Sequence, residues 1–313
     1  MENTLIHSLI SVVVPCYNEE KVLDEFYKQV TQKLQAITTN YEIIFVNDGS
    51  KDNTQNIILT LSKLDSHIKF IEFSRNFGHQ SALKAGLDLA KGDAVISMDS
   101  DLQHPPELLQ TFIEKWQEGF EIVYTQRKSS KENSFFKNIT STFFYKILNY
   151  LSDTNFEDGI ADFRLLDKKV IELIKQSKEN NLFLRGYISW IGFKNYKIEY
   201  SPNARFAGTT KYSLKKMLSL AVNGITSFSI KPLRISVLAG SFISFLAFLY
   251  SMFSLYQYFF GNSVITGWTS VIISVLFIGG IQLIMLGIMG EYLGKLFEQT
   301  KQRPDYIITN TNL

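Results

Sequence analysis

Hydrophobic positions over the first 125 residues keep switching between two rhythms. Leu9-Ile10-Ser11-Val12-Val13-Val14 is a nearly continuous apolar run ending at Pro15, as expected of a strand buried on both faces. Val22, Leu23, Phe26, Val30, Leu34 and Ile37 then recur at helical spacing. The alternation repeats. Glu42 to Val46 predicts a second strand that stops at the turn cluster Asn47-Asp48-Gly49-Ser50, and Ile57, Ile58, Leu61 and Leu64 mark a helix. Lys69 to Phe73 predicts a third strand, followed by a helix with Ala82, Leu83, Gly86 and Leu89. Asp93 to Met98 predicts a fourth. Pro105-Pro106 opens a helix with Leu108, Leu109, Phe112 and Trp116, and Phe120 to Tyr124 predicts a fifth strand. This order predicts an α/β fold with a doubly wound, mostly parallel sheet and ligands at the carboxyl ends of its strands.

Far downstream the pattern changes. Ile235 to Gly290 contains no Asp, Glu, Lys or Arg, in a chain that is 20% charged. Crossing about 30 Å of hydrocarbon takes about 20 apolar residues, so the stretch holds two spans and a turn. The turn lies at Gly261-Asn262-Ser263 and Thr266-Gly267-Trp268, with spans expected at 233–260 and 267–293. Tyr256, Tyr258 and Trp268 flank it as an interfacial belt would. Lys231 and Arg234 precede the first span, and Lys295, Lys301 and Arg303 follow the second. The positive-inside rule then places both ends in the cytoplasm, with 294–313 as a cytoplasmic tail. The competing reading is a buried helical hairpin of a soluble domain. Gly290 and Gly294 have the spacing that lets helices approach closely, although glycine is common in spans anyway. Two other apolar faces, Phe135 to Leu151 and Leu214 to Ile225, read as helices lying in the headgroup plane; core-facing helices are the alternative. The second of them belongs to an interfacial segment at 213–232.

Bulk composition narrows little further. A net charge of +2 gives no global case for nucleic-acid binding. The single Cys16 excludes an intrachain disulfide. The chain start has no basic region before its apolar run, which reads as a strand rather than a signal peptide.

The unusual polar residues fall where strands should end: Tyr17-Asn18-Glu19, Asp48, Arg75-Asn76, Asp99 with Asp101, and Arg127. Asp48 alone would be an ordinary turn former. Five clusters on one rim point to a ligand site. No Gly-x-Gly-x-x-Gly follows the first strand, and no Gly-Lys-Ser/Thr phosphate loop occurs. Asp99 and Asp101, one residue apart, are instead suited to holding a divalent ion against a phosphate. The four histidines are scattered and lack zinc-ligand spacing.

Three strings carry a resemblance. Val13-Val14-Pro15-Cys16-Tyr17-Asn18-Glu19-Glu20, Val46-Asn47-Asp48-Gly49-Ser50 and Met98-Asp99-Ser100-Asp101-Leu102-Gln103-His104-Pro105-Pro106-Glu107 resemble the GT-A glycosyltransferases of family 2. The closer match is their polyprenyl-phosphate branch, of the GtrB type and similar to dolichol-phosphate mannose synthase. The resemblance implies a GT-A catalytic domain over 1–212. It implies that Pro15, Tyr17, Glu19 and Asp48 hold the nucleotide base and ribose, with Ser100, Arg205 and Lys211 also on the nucleotide sugar. It implies Mg²⁺ or Mn²⁺ on Asp99, Asp101 and Gln103. Arg127 and Arg164 would meet the acceptor phosphate, and Arg205 and Lys211 would clamp phosphates through a loop. Thr210 stands where many relatives have Ser, which keeps a hydroxyl. The segment around Asp162 varies between branches, often with Gly at that place.

The chemistry fits these residue types. A lipid monophosphate has a second pKa of about 6, so it is already a dianionic nucleophile at neutral pH. Cations that orient it matter more than a strong base, and Arg grips phosphate through two parallel bonds. Asp158 and Asp162 stay candidates for an orienting or base role; an ion pair with Arg164 or a helix cap is the alternative. A single displacement inverts the anomeric centre. The expected reaction is transfer of glucose from UDP-glucose to polyprenyl (undecaprenyl or dolichyl) phosphate by a multi-pass protein of the bacterial inner or plasma membrane. GDP-mannose, UDP-GlcNAc or a UDP-amino-pentose as donor stays open, as does a non-catalytic scaffold that senses sugar nucleotides. The resemblance further implies a homo-oligomer, a tetramer.

Overall fold

The computed structural model describes residues 7–128, 149–151, 159–179, 182–202, 224–227, 229–260 and 267–313. The expected site residues Asp158, Arg205 and Lys211 and nearly all of both interfacial apolar faces lie outside these residues.

Strand and helix alternate as the pattern requires. β1 (Ile10–Cys16) and β2 (Tyr41–Asn47) are buried at every position, the signature of central parallel strands covered on both faces. Between them α1 (Leu23–Ile37) turns Leu23, Phe26, Val30 and Leu34 inward. α2 (Thr54–Leu64), β3 (Ile68–Phe73), α3 (His79–Leu89), β4 (Ala94–Ser97), α4 (Leu108–Gln117) and β5 (Ile122–Arg127) follow. β1 pairs in parallel with both β2 and β4, and β2 with β3. One apolar cluster, with Phe26, Phe45 and Phe112, fills the side of the sheet covered by α1, α2 and α4. A second, with Val13, Ile44 and Ile71, lies on the side covered by α3.

Two strands after β5 depart from the simple alternation. β6 (Ile160–Asp167) inserts antiparallel between β4 and β5, opposite Ser97 and Tyr124 at Arg164. After α5 (Lys168–Gln176) and α6 (Leu184–Ile191), β7 (Asn195–Tyr200) pairs in parallel with β5. The hydrophobic pattern predicts neither strand. Because β6 runs backwards, its amino end lies on the rim where the parallel strands place their carboxyl ends.

Two long helices follow, α7 (Lys231–Phe260) and α8 (Trp268–Thr300). Each holds a window long and apolar enough to cross a membrane, and among the described residues no protein buries either window. A core hairpin of a soluble domain would be mostly buried, whereas such exposed apolar helices support a membrane-associated chain. α8 continues past the expected limit at 293. Among the described residues a Cβ on Gly279, Gly280, Gly287, Gly290 or Gly294 would meet nothing within 4 Å, so the Gly290–Gly294 pair does not pack α8 against α7. The segment expected as a tail returns to the sheet instead: β8 (Ile308–Thr311) pairs antiparallel with β3 and becomes its edge. The sheet order is β7-β5-β6-β4-β1-β2-β3-β8.

Candidate active site

The rim gathers residues from six strands. After β1, Asn18 turns through a left-handed φ of 57°. Its amide donates to Ser50 Oγ at 3.0 Å, and the Glu19 amide to Thr54 Oγ1 at 2.9 Å, so the β1 and β2 loops lock together. Pro15 is buried at the end of β1, and Tyr17 is exposed beyond it. A cavity of about 550 Å³ opens here, lined among others by Tyr17, Ser50, Lys51, Glu72, Arg75 and Asn76. That volume falls within the range of about 300–1,000 Å³ usual for small-ligand sites.

Asp48 lies beneath this cavity rather than in its lining. It is 3% exposed, and its two carboxylate oxygens accept the Phe77 amide at 2.6 Å and the Gly78 amide at 3.0 Å. Burial pushes its carboxyl up, against the downward pull of those two amides. Its visible task is to hold the turn before α3.

Across β4 lies the acidic pair. The Asp99 amide donates to His104 Nδ1 at 3.2 Å, and Asp101 Oδ1 accepts the Gln103 amide at 3.1 Å. Leu102 takes a left-handed φ of 59° to close the turn. Ser100 is buried, with Oγ 3.5 Å from the Pro15 carbonyl, and so ties this loop to β1. His104 is fully buried and stacked on Phe163 at 4.8 Å. Burial pushes its imidazole pKa down, so it stays neutral despite the nearby Asp99 and Asp101. Its Nε2 has no hydrogen-bond partner among the described residues.

The donor set fits a hard divalent ion. Asp99 and Asp101 offer carboxylate oxygens at a half-exposed rim, and Gln103 adds an amide oxygen beside them. Among the described residues no group of three or more His, Cys, Asp or Glu could hold a metal alone. Mg²⁺ and Mn²⁺ are commonly held by one or two carboxylates together with substrate phosphates, so two carboxylates suffice where a phosphate completes the shell.

On the far side of Asp99 is a cationic group. His79, the first residue of α3, places Nε2 3.6 Å from Asp99 Oδ1 and 3.6 Å from Asp162 Oδ2. Burial alone would lower its pKa, but the two carboxylates outweigh it and raise it to about 9. Asp162, at 5% exposure on β6, accepts from Arg164, Arg185 and Gln80. Burial would raise its carboxyl, yet Arg185, His79 and Arg164 hold it well below the usual carboxylate range. The ion-pair alternative for Asp162 is therefore the arrangement the structure shows. Arg164, expected at the acceptor phosphate, is 3% exposed and directed at Asp162 and the Ala161 carbonyl. Arg127 is exposed, with Nε donating to Tyr200 at 3.2 Å.

Sequence reasoning missed His79, His104, Arg185 and Tyr200. His79 had a usable signal, since it follows the Arg75–Gly78 turn on the same rim. Arg185, on α6, had none, because its partner Asp162 lies on β6 and only folding joins them.

Comparison with known proteins agrees with this build. The description of glycosyl transferase family 2 matches residues 11–174. An uncharacterised glycosyltransferase, YkcC, of Bacillus subtilis is 47% identical, over 96% of this chain and 94% of that protein. A bactoprenol glucosyl transferase of Shigella phage SfV is 43% identical, over 96% and 98%. Among solved structures, a mannosyltransferase of Pyrobaculum calidifontis, in complex with GDP-mannose and Mn²⁺, superposes with a TM-score of 0.50 at 11% identity, covering 93% of this chain and 86% of that one; this likeness concerns the fold. The βαβ order, the acidic pair after β4 and these relatives lead to one conclusion: the chain belongs to glycosyl transferase family 2, and it is an enzyme.

Proposed function

We propose that this chain transfers glucose from UDP-glucose to a polyprenyl phosphate, with inversion, at the cytoplasmic face of a bacterial membrane. The observation that carries the reading is joint. Bactoprenol glucosyl transferases align along nearly the whole chain, spans included, and the sheet rim offers paired carboxylates with a cationic histidine beside them.

The cavity lined by Tyr17, Ser50, Lys51 and Arg75 takes the nucleotide, with Tyr17 available to stack on a base. Asp99, Asp101 and Gln103 would hold Mg²⁺ or Mn²⁺. When bound there, such an ion supplies Lewis-acid stabilisation of a departing diphosphate. Asp162, pinned by two arginines, is a weak base; its role is to fix His79 and Arg185 beside the reacting centre. Arg127 and His79, both reaching solvent, orient the acceptor's dianionic phosphate. That phosphate is nucleophilic without losing a further proton, so no side chain has to remove one. Asp158, Arg205 and Lys211 remain expected in the site, the first as an orienting group and the other two as phosphate clamps. A homotetramer remains the expected assembly.

The test offers membranes containing the protein a panel of radiolabelled UDP-glucose, UDP-GlcNAc, UDP-amino-pentose and GDP-mannose with undecaprenyl phosphate and Mn²⁺. The reading expects label in the lipid phase from UDP-glucose. Label from another donor would correct the sugar, and no labelled lipid from any donor would refute the reaction.

A further inference from the structure

We propose that β8 and the residue leading into it, Tyr306, form a positioning element of the nucleotide cavity. On this proposal they fix the cavity wall Phe73–Asn76 from the outer edge of the sheet. The proposal rests on reading that cavity as the nucleotide site.

Covering an open strand edge is a general need, and any short strand would meet it. What β8 does is more specific. Its contacts gather where the wall leaves the sheet. The Ser74 amide donates to the Ile307 carbonyl at 3.0 Å, and Thr309 Oγ1 donates to the Glu72 carbonyl at 3.1 Å. Both Glu72 and Ser74 line the cavity. The β3–β8 register shifts between Glu72 and Phe73, the last point before the wall diverges. Further down the strand, Thr311 Oγ1 donates to the Phe70 carbonyl at 2.8 Å, and Asn312 Oδ1 accepts the Phe70 amide at 2.7 Å.

Tyr306 then extends the support by aromatic contact. Its ring stacks on Phe73 at 5.3 Å with an interplanar angle of 8°. Phe73 meets Phe77 edge-on at 5.7 Å, and the Arg75 guanidinium lies 3.9 Å over the Phe77 ring. The Tyr306 hydroxyl donates to Asp88 Oδ2 at 2.9 Å, on α3, so one side chain braces the wall against the neighbouring helix. Asp48 holds the loop from within through Phe77 and Gly78. The wall is thus gripped from both sides.

The support is also joined to the membrane segment. Only Lys301–Ile307 separates α8 from β8, and Gln299 near the end of α8 donates to the Lys178 carbonyl at 2.5 Å. A wall held in place before binding loses less freedom when a ligand arrives, so weakening the support should weaken affinity before it slows chemistry.

The experiment measures binding of UDP and of GDP, each with Mn²⁺, to the detergent-solubilised full chain, alongside thermal unfolding and the steady-state constants for transfer. Tyr306→Ala should raise the nucleotide Kd and the donor KM about tenfold, with kcat changed far less. Tyr306→Phe keeps the stack and should restore most of the lost affinity. Thr309→Val removes only the bond to the Glu72 carbonyl and should shift Kd in the same direction by less; it serves if Tyr306→Ala fails to fold. Wild-type Kd in folded Tyr306→Ala, or in Thr309→Val where Tyr306→Ala does not fold, overturns the proposal. A fall in kcat with KM unchanged also overturns it. If the wild-type chain binds neither nucleotide, the reading of the cavity fails instead, and this proposal falls with it.

Discussion

Arg185 forks onto Asp162: Nε donates to Oδ1 at 2.8 Å and Nη2 to Oδ2 at 2.7 Å. Arg164 adds a third bond to Oδ1 at 2.9 Å. One buried carboxylate on β6 therefore ties down α6 and, through His79, the start of α3. His79 in turn faces Asp99, with Nε2 3.6 Å from Oδ1.

Removing that carboxylate should damage the fold as well as the site. Asp162→Ala leaves Arg164 buried without its counter-charge, and breaking a buried pair in this way costs about 3–5 kcal/mol. Thermal unfolding of the solubilised protein should show a large loss of stability. Arg185→Lys keeps a charge but cannot reproduce the fork; its stability should change little while transfer falls. Asp162→Ala with wild-type unfolding behaviour would contradict this account.

Gly49 sits at the junction of the β2 loop and the cavity wall, with a φ of 64°. A Cβ there would overlap the Arg75 and Asn76 backbones. Gly49→Ala should cost about 1–2 kcal/mol for the left-handed backbone alone, and it should displace Arg75 and Asn76 from the cavity. The donor KM should rise. Substitution at Gly119, whose φ is 88° but which faces open space, should cost stability without moving KM.

Stability should fall in acid for an identifiable reason. Burial would raise the Asp65 carboxyl, but the His67 amide and ring and the Tyr27 hydroxyl outweigh it and lower its pKa. A carboxylate depressed in the folded state stabilises above its unfolded pKa of about 3.9. That contribution disappears as pH drops through the lower folded value. Asp162 behaves the same way. Unfolding temperature should therefore decline below about pH 4, and Asp65→Asn should be less stable than wild type at neutral pH, with the gap closing in acid. A constant gap from pH 7 to pH 3 would contradict this.

The sequence revealed the parallel half of the fold because buried strands such as Val12-Val13-Val14 and Ile43-Ile44-Phe45 leave unbroken apolar runs. β6 was hidden: Asp162 and Arg164 are buried as a pair, so the strand reads as polar. β8, Ile-Thr-Asn-Thr, is short and exposed at three of its four positions, and its pairing with β3 spans more than two hundred residues. The rim was legible through Tyr17, Asp99, Asp101 and Arg127. The division of labour on it was not, because the amides that occupy Asp48 and the arginines that occupy Asp162 come together only on folding.

The central claim is that Asp99 and Asp101 support departure of the nucleotide. It is tested most directly by the rate at which membranes carrying Asp101→Ala form labelled lipid from UDP-glucose and undecaprenyl phosphate, compared with wild type at equal membrane content. Loss of one preorganised electrostatic stabiliser lowers turnover by about 10²–10³, and a fall of that size is the predicted result. Transfer at the wild-type rate would contradict the account.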